Sequence, residues 1–211
     1  MQKFVKNIKM CRKIYQIFID SLKVINNNEI KWEQNISSTI ASHEWKNIYS
    51  NIYFATTETK LRSFQYNIIQ RVLPTNHFLF KCQIINSDKC TFCGRDPETL
   101  EHLFFRCNLV MQLWMELVNW FQPYIFLSPM MTDKNVLFGK YLEVNSRLIN
   151  HVVIITKYYI YVQRCCKKNL SLIGLLKYIK KYYDLEKYSL NAFNFKREIY
   201  EAKWSPIAGI I

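Results

Sequence analysis

Residues 90–107 read Cys90-Thr91-Phe92-Cys93-Gly94-Arg95-Asp96-Pro97-Glu98-Thr99-Leu100-Glu101-His102-Leu103-Phe104-Phe105-Arg106-Cys107. Cys90 and Cys93 form a C-x2-C knuckle, in which a tight turn aims two thiolates at one metal while backbone amides solvate the sulfurs. His102 and Cys107 complete a set of four ligands. Three thiolates and one imidazole fill a tetrahedron and leave no open position, which makes this a structural zinc site and not a catalytic one. Asp96 is a good N-cap and Pro97 suits a first helical position, so the spacing predicts a short helix from about Pro97 that carries His102. On one continuous α-helix residues 102 and 107 would point roughly 140° apart and could not share a metal. The helix is therefore expected to break near Arg106, before another begins at about Leu109.

Other uses of the cysteines have to be weighed. His77 and Cys82 are also four apart, just upstream, and form a rival ligand pair. Buried unligated thiols are common as well. The seven cysteines stand at positions 11, 82, 90, 93, 107, 165 and 166. An odd count with no secretory signal points to an intracellular metal site, nuclear or cytoplasmic, and away from a secreted disulfide framework. Cys11, Cys165 and Cys166 have no partner at metal-like spacing and read as core or surface thiols.

Outward from the knuckle the pattern is helical. Upstream, Leu61, Phe64, Ile68 and Val72 fall at helical spacing between Glu58 and Leu73, and Pro74-Thr75-Asn76 ends that run. Downstream, Leu109, Leu113, Trp114, Leu117, Val118 and Phe121 predict an amphipathic helix stopped by Pro123. A loop is expected through Ser128-Pro129 to Asp133. A long helix follows over Arg147–Lys168 with Leu148, Val152, Ile155, Tyr159 and Val162 inward, then one over about Leu170–Tyr188 and a short one over Phe193–Lys203. At the other end, Met1–Ile25 is basic and amphipathic, Asn26-Asn27-Asn28 is a break, and Trp32 and Trp45 flank a polar segment. With 4 glycines and 5 prolines, an all-β chain built on tight turns is disfavoured. The expectation is a mostly α chain: a helical lead-in over 1–57, a helical module around a small CCHC zinc knuckle over 58–123, and further helices in a basic C-terminal tail over 134–211. No uninterrupted apolar run of 18 residues exists, and the most apolar stretch, 152–162, contains Lys157 and three tyrosines, so no membrane span is expected.

Net charge is +13 and unevenly spread. Residues 1–40 hold 7 basic and 3 acidic side chains, 41–139 hold 9 and 8, and 140–211 hold 13 and 5. A basic surplus at the ends fits a polyanionic partner, RNA or single-stranded or target DNA. Arg62, Gln65 and Arg71, off the apolar stripe of their helix, are the first candidates for contact, followed by Lys167, Lys168, Lys177, Lys180 and Lys181. A solvated helix face is the plainer alternative for each.

The block Glu58-Thr59-Lys60-Leu61-Arg62-Ser63-Phe64-Gln65-Tyr66, then Arg71-Val72-Leu73-Pro74-Thr75-Asn76, then Cys90 to Cys93, Glu98 to Phe104 and Cys107, resembles the zinc-binding region downstream of the reverse transcriptase in non-LTR (LINE-type) retrotransposons. Trp32, Trp45 and the Lys203-Trp204 ending resemble its flanks more weakly. The resemblance implies a tail piece of a longer element protein, with Met1 an internal methionine, whose partners are RNA or target DNA and the polymerase portion of the parent. It does not imply catalysis here. The five aspartates, at 20, 88, 96, 133 and 184, are scattered, whereas two-metal phosphoryl chemistry needs clustered carboxylates. No P-loop, nucleophile elbow or H-E-x-x-H motif is present, and nothing points to a small-molecule substrate. Two readings compete with a nucleic-acid-binding module: a scaffold that packs on the polymerase, and a decayed element fragment without a role.

Overall fold

The computed structural model describes residues 27–124, 132–139, 145–193 and 197–211. The expected Met1–Ile25 helix, Cys11 and most of the loop before Asp133 lie outside these. The chain divides into two compact units, 1–37 and 38–211. The boundaries expected near 57 and between 123 and 134 fall inside the second unit, so the zinc region and the basic tail pack together. The chain is mostly helical, and no strand occurs among the described residues. No helix among them is long and apolar enough to cross a membrane.

The first unit contributes α1 (Asn27–Ile36), in which Trp32 is fully buried. Asn27 and Asn28, read as part of a break, lie in this helix, and Asn26 lies outside the described residues.

The second unit holds α2 (Ser42–Ala55), α3 (Thr59–Ile69), α4 (Asn76–Lys81), a π-helical turn (His102–Arg106), α5 (Asn108–Phe121), α6 (Asp133–Phe138), α7 (Ser146–Cys165), α8 (Leu172–Phe193) and α9 (Arg197–Trp204). Helix α7 is the axis: it packs against α2, α3, α8, α9 and the π-turn. It is buried on most sides, Leu148, Val152, Ile155 and Tyr159 among the core residues, as a central helix must be. The tryptophans at 45, 114 and 204 are buried in the same core. Helix α6 was not expected; Thr132 caps it, accepting from the Asn135 amide at 3.2 Å, and it buries Val136, Leu137 and Phe138.

Helix α3 ends at Ile69, four residues before the expected end. Arg71 takes φ 56°, its amide donates to Ile68 O, and the Val72 amide reaches back to Asn67 O. This is a Schellman closure, and it leaves Val72 on the surface instead of on the buried stripe. Helix α4 ends the same way at Gln83 (φ 57°) and α7 at Lys167 (φ 52°). A glycine usually fills this left-handed position, but in this glycine-poor chain Arg71, Gln83 and Lys167 occupy it.

Candidate metal centre

The loop before the knuckle folds back on itself. Cys90 N donates to Asp96 O at 2.8 Å, Glu98 N to Asp88 O at 2.7 Å, and Lys89 and Pro97 form an isolated antiparallel bridge. The expected cap at Asp96 and helix start at Pro97 are thereby corrected: both residues belong to this narrow hairpin. The helical turn begins at Leu100 instead, with the Thr99 hydroxyl accepting from His102 N at 3.2 Å. Gly94 closes the knuckle, donating to Cys90 O at φ 66°, a backbone conformation that suits glycine.

The five-residue gap between His102 and Cys107 is met by widening the turn. Residues 102–106 are π-helical, and Cys107 N donates to His102 O at 2.9 Å, an i to i+5 bond. That bond returns the chain at 107 over 102. Cys107 then turns extended (ψ 127°) and caps α5. The break falls one residue later than expected, and the π-turn, not the break alone, brings the ligands together.

The ligand atoms of Cys90, Cys93, His102 and Cys107 all lie within 4.8 Å of one another. The Cys90 and Cys107 sulfurs are 3.9 Å apart and Cys93 Sγ is 3.3 Å from His102 Nε2. A tetrahedral zinc with Zn–S of about 2.3 Å and Zn–N of about 2.0 Å puts its sulfurs about 3.8 Å apart and sulfur and nitrogen about 3.5 Å apart. Donor set and distances therefore fit zinc. The Cys90 thiol, donating to Cys107, is pushed up by that hydrogen bond and by burial. Cys107 falls to about 5, first because it accepts that hydrogen bond, and also because the Val110 and Leu109 amides at the start of α5 favour its thiolate. Asp96 Oδ2 stands 4.0 Å from His102 Nδ1, on the side where a carboxylate orients a ligating imidazole. The rival pair is apart from this cluster: His77 Nδ1 meets Asp88 at 3.3 Å, and Cys82 is exposed, as are Cys165 and Cys166.

Around the ligands lies a polar frame that the sequence reading missed. Glu98 is fully buried and accepts from Asn76 N (2.9 Å), Thr91 N (2.8 Å) and Arg164 Nε (2.7 Å). Arg164 also donates to Pro74 O and Asn76 Oδ1. Glu98 lies within the recognisable motif block, but Arg164, one of thirteen basic residues in 140–211, carries no local signal.

The nucleic-acid candidates divide in two. Gln65 is corrected outright: it is buried, its amide donating to Leu137 O at 2.8 Å, because α6 covers that face of α3. Arg62 Nε donates to Thr56 O at 2.7 Å and its guanidinium lies over Tyr53; Arg71 pairs with Glu101 at 2.9 Å. Both arginines are engaged in holding the fold. Lys167, Lys168, Lys177, Lys180 and Lys181 are exposed, Lys180 facing Asp184 at 3.5 Å.

Residues 10–114 match the model of a family described as zinc-binding in reverse transcriptase. The match spans all four ligands, so this part of the chain is a reverse-transcriptase-associated zinc-binding region. No curated protein matches the chain.

Proposed function

We propose that this chain, which carries a reverse-transcriptase-associated zinc-binding region, is the C-terminal part of a LINE-type retrotransposon protein. It binds one structural zinc ion through Cys90, Cys93, His102 and Cys107, binds RNA or single-stranded or target DNA, and catalyses nothing by itself. The observation that carries the reading is the four-ligand cluster at tetrahedral spacing inside the matched region. A closed set of three thiolates and one imidazole organises structure and leaves no place for a reacting water. The parent protein would be an RNA-directed DNA polymerase acting in the nucleus or cytoplasm. Nucleic-acid binding is supported by the +13 charge and by the exposed lysines at 167, 168, 177, 180 and 181. The test is the salt dependence of RNA and single-stranded DNA binding. Replacing Lys177, Lys180 and Lys181 with Gln should lower the slope by up to about one unit per lost phosphate contact. Absence of binding at low salt would contradict the reading.

One observation favours a scaffold role beside it. Val72, Phe78, Phe80 and Ile84 are exposed on and beside α4, apolar surface that suits packing on the polymerase portion of the parent.

A further inference from the structure

We propose that the cleft between the knuckle, the first turns of α5 and the α7–α8 turn seats one or two unpaired nucleotides of a single strand, with a base stacked on Phe92 and phosphates at Lys167 and Lys168. The inference rests on the nucleic-acid reading above and gives it a place. The cleft measures about 520 Å³, within the range of sites that take small-molecule-sized groups.

We take as its floor the apolar lining residues Leu109 and Leu113 of α5 and Leu170. Leu109 is 47% exposed although it starts a helix whose other leucines are buried. Phe92, half-buried, stands at the edge between the two knuckle cysteines, so a metal on Cys90 and Cys93 fixes the backbone that presents its ring. The rim is cationic. The Schellman closure of α7 sets Lys167 and Lys168 side by side, Lys168 N bonding Gln163 O and Lys167 N bonding Arg164 O. Arg71, Arg164 and Lys203 all meet carboxylates inside the fold; no carboxylate lies within ion-pair distance of Lys167 or Lys168 among the described residues. The single acid of the cleft, Glu116, accepts from Gln112 at 3.4 Å.

An apolar floor with an aromatic edge and two unengaged cations matches the two faces of a nucleotide, a flat base and an anionic phosphate. A duplex keeps its bases stacked inside and offers nothing to the floor, so the occupant is single-stranded.

The test is fluorescence anisotropy on the full zinc-loaded chain with three probes: a ten-nucleotide mixed-base single strand, an abasic strand of the same length and charge, and a ten-base-pair duplex. The wild type should prefer the mixed-base strand over the abasic one by about five-fold or more, the low end for base stacking on an aromatic ring. Phe92→Leu and Leu109→Ala should each abolish that preference with zinc content unchanged. Lys167→Asn, which keeps a residue that tolerates the left-handed turn, combined with Lys168→Gln, should weaken all strands and lower the salt slope. A preference that survives both Phe92→Leu and Leu109→Ala overturns the cleft and leaves the nucleic-acid reading standing. Tighter binding to the duplex than to the single strand also overturns the cleft. No binding of any probe overturns the underlying reading and the cleft with it.

Discussion

Glu98 and Arg164, 66 positions apart, meet in a buried 2.7 Å ion pair that ties the metal-binding hairpin to the central helix α7. Glu98 holds the hairpin from within through the Asn76 and Thr91 amides, and Arg164 spans from α7 to Pro74 O and Asn76. The metal centre and the helical core are thus joined by one hydrogen-bonded network.

Arg164→Ala should therefore be among the most destabilising single substitutions in the chain. It leaves a fully buried carboxylate without its cation, and breaking a buried pair from one side costs about 3–5 kcal/mol. For a unit of this size that corresponds to a fall in melting temperature of roughly 6–20 °C. Thermal unfolding of the zinc-loaded protein measures it. A shift below about 3 °C would show that Glu98 is adequately served by its amide donors, Asn76 and Thr91.

Metal analysis of single variants addresses the ligand set. Cys93→Ser and His102→Ala should each lose most of the one zinc bound per chain, whereas Cys82→Ser, His77→Ala, Cys165→Ser and Cys166→Ser should keep it. Structural zinc supplies on the order of 10 kcal/mol coupled to local folding. Its loss should therefore loosen residues 82–107, seen as faster amide exchange there, while α7 and α8 remain protected. Full zinc in Cys90→Ser alongside loss in Cys82→Ser would transfer the site to the upstream pair.

The cluster of Cys90, Cys93, His102 and Cys107 was legible because side-chain chemistry and spacing point to it. The long helices were legible because Leu148, Val152, Ile155 and Tyr159 repeat at helical spacing. What stayed hidden depends on contacts distant in sequence. Gln65 looks like a surface residue until α6, 72 positions on, covers it. Arg164 is one basic residue among many until the hairpin brings Glu98 to it. The π-turn was hidden for another reason: nothing in His102-Leu103-Phe104-Phe105-Arg106 distinguishes a turn of one more residue from an ordinary one. The spacing of ligands showed only that a plain α-helix would not serve.

Gln83→Gly should stabilise the protein. Gln83 is exposed, ends α4 at φ 57°, and is held there by its amide bond to Phe80 O and by the bond from Ile84 N to Leu79 O. A side chain in this left-handed position costs about 1–2 kcal/mol that glycine avoids, partly offset by glycine's greater freedom in the unfolded chain. A net gain of about 0.5–1 kcal/mol is expected from denaturant unfolding. A loss of stability would mean that the Gln83 side chain makes a contribution its exposed position does not suggest.

Stability should rise with pH between about 8 and 10, and the cause is buried lysine. Lys203 Nζ, at the base of α9, donates to Ala55 O at 3.0 Å and to both Glu186 oxygens at 2.9 Å, and also faces His151 Nδ1. Burial lowers its pKa to about 8 against an ordinary 10.5, although Glu186 pulls the other way. Between those two values the unfolded chain holds a proton that the folded chain has given up, so stability increases with pH across that window and is level below it. Lys157 acts in the same sense. It is fully buried with its amine on Leu137 O at 2.9 Å, and burial alone lowers its pKa. Above about pH 11 the sign reverses, because burial pushes Tyr182 up from its ordinary value and the folded state then holds the extra proton. The gain from pH 8 to 10 should reach ~2 kcal/mol, read as urea midpoints at successive pH values. Lys157→Met supplies the control. Leu137 O keeps its bond from Gln65 Nε2, so the fold should tolerate the change and the pH slope should shrink. Midpoints that stay flat or fall between pH 8 and 10 would show that Lys203 keeps its charge at full strength inside the core.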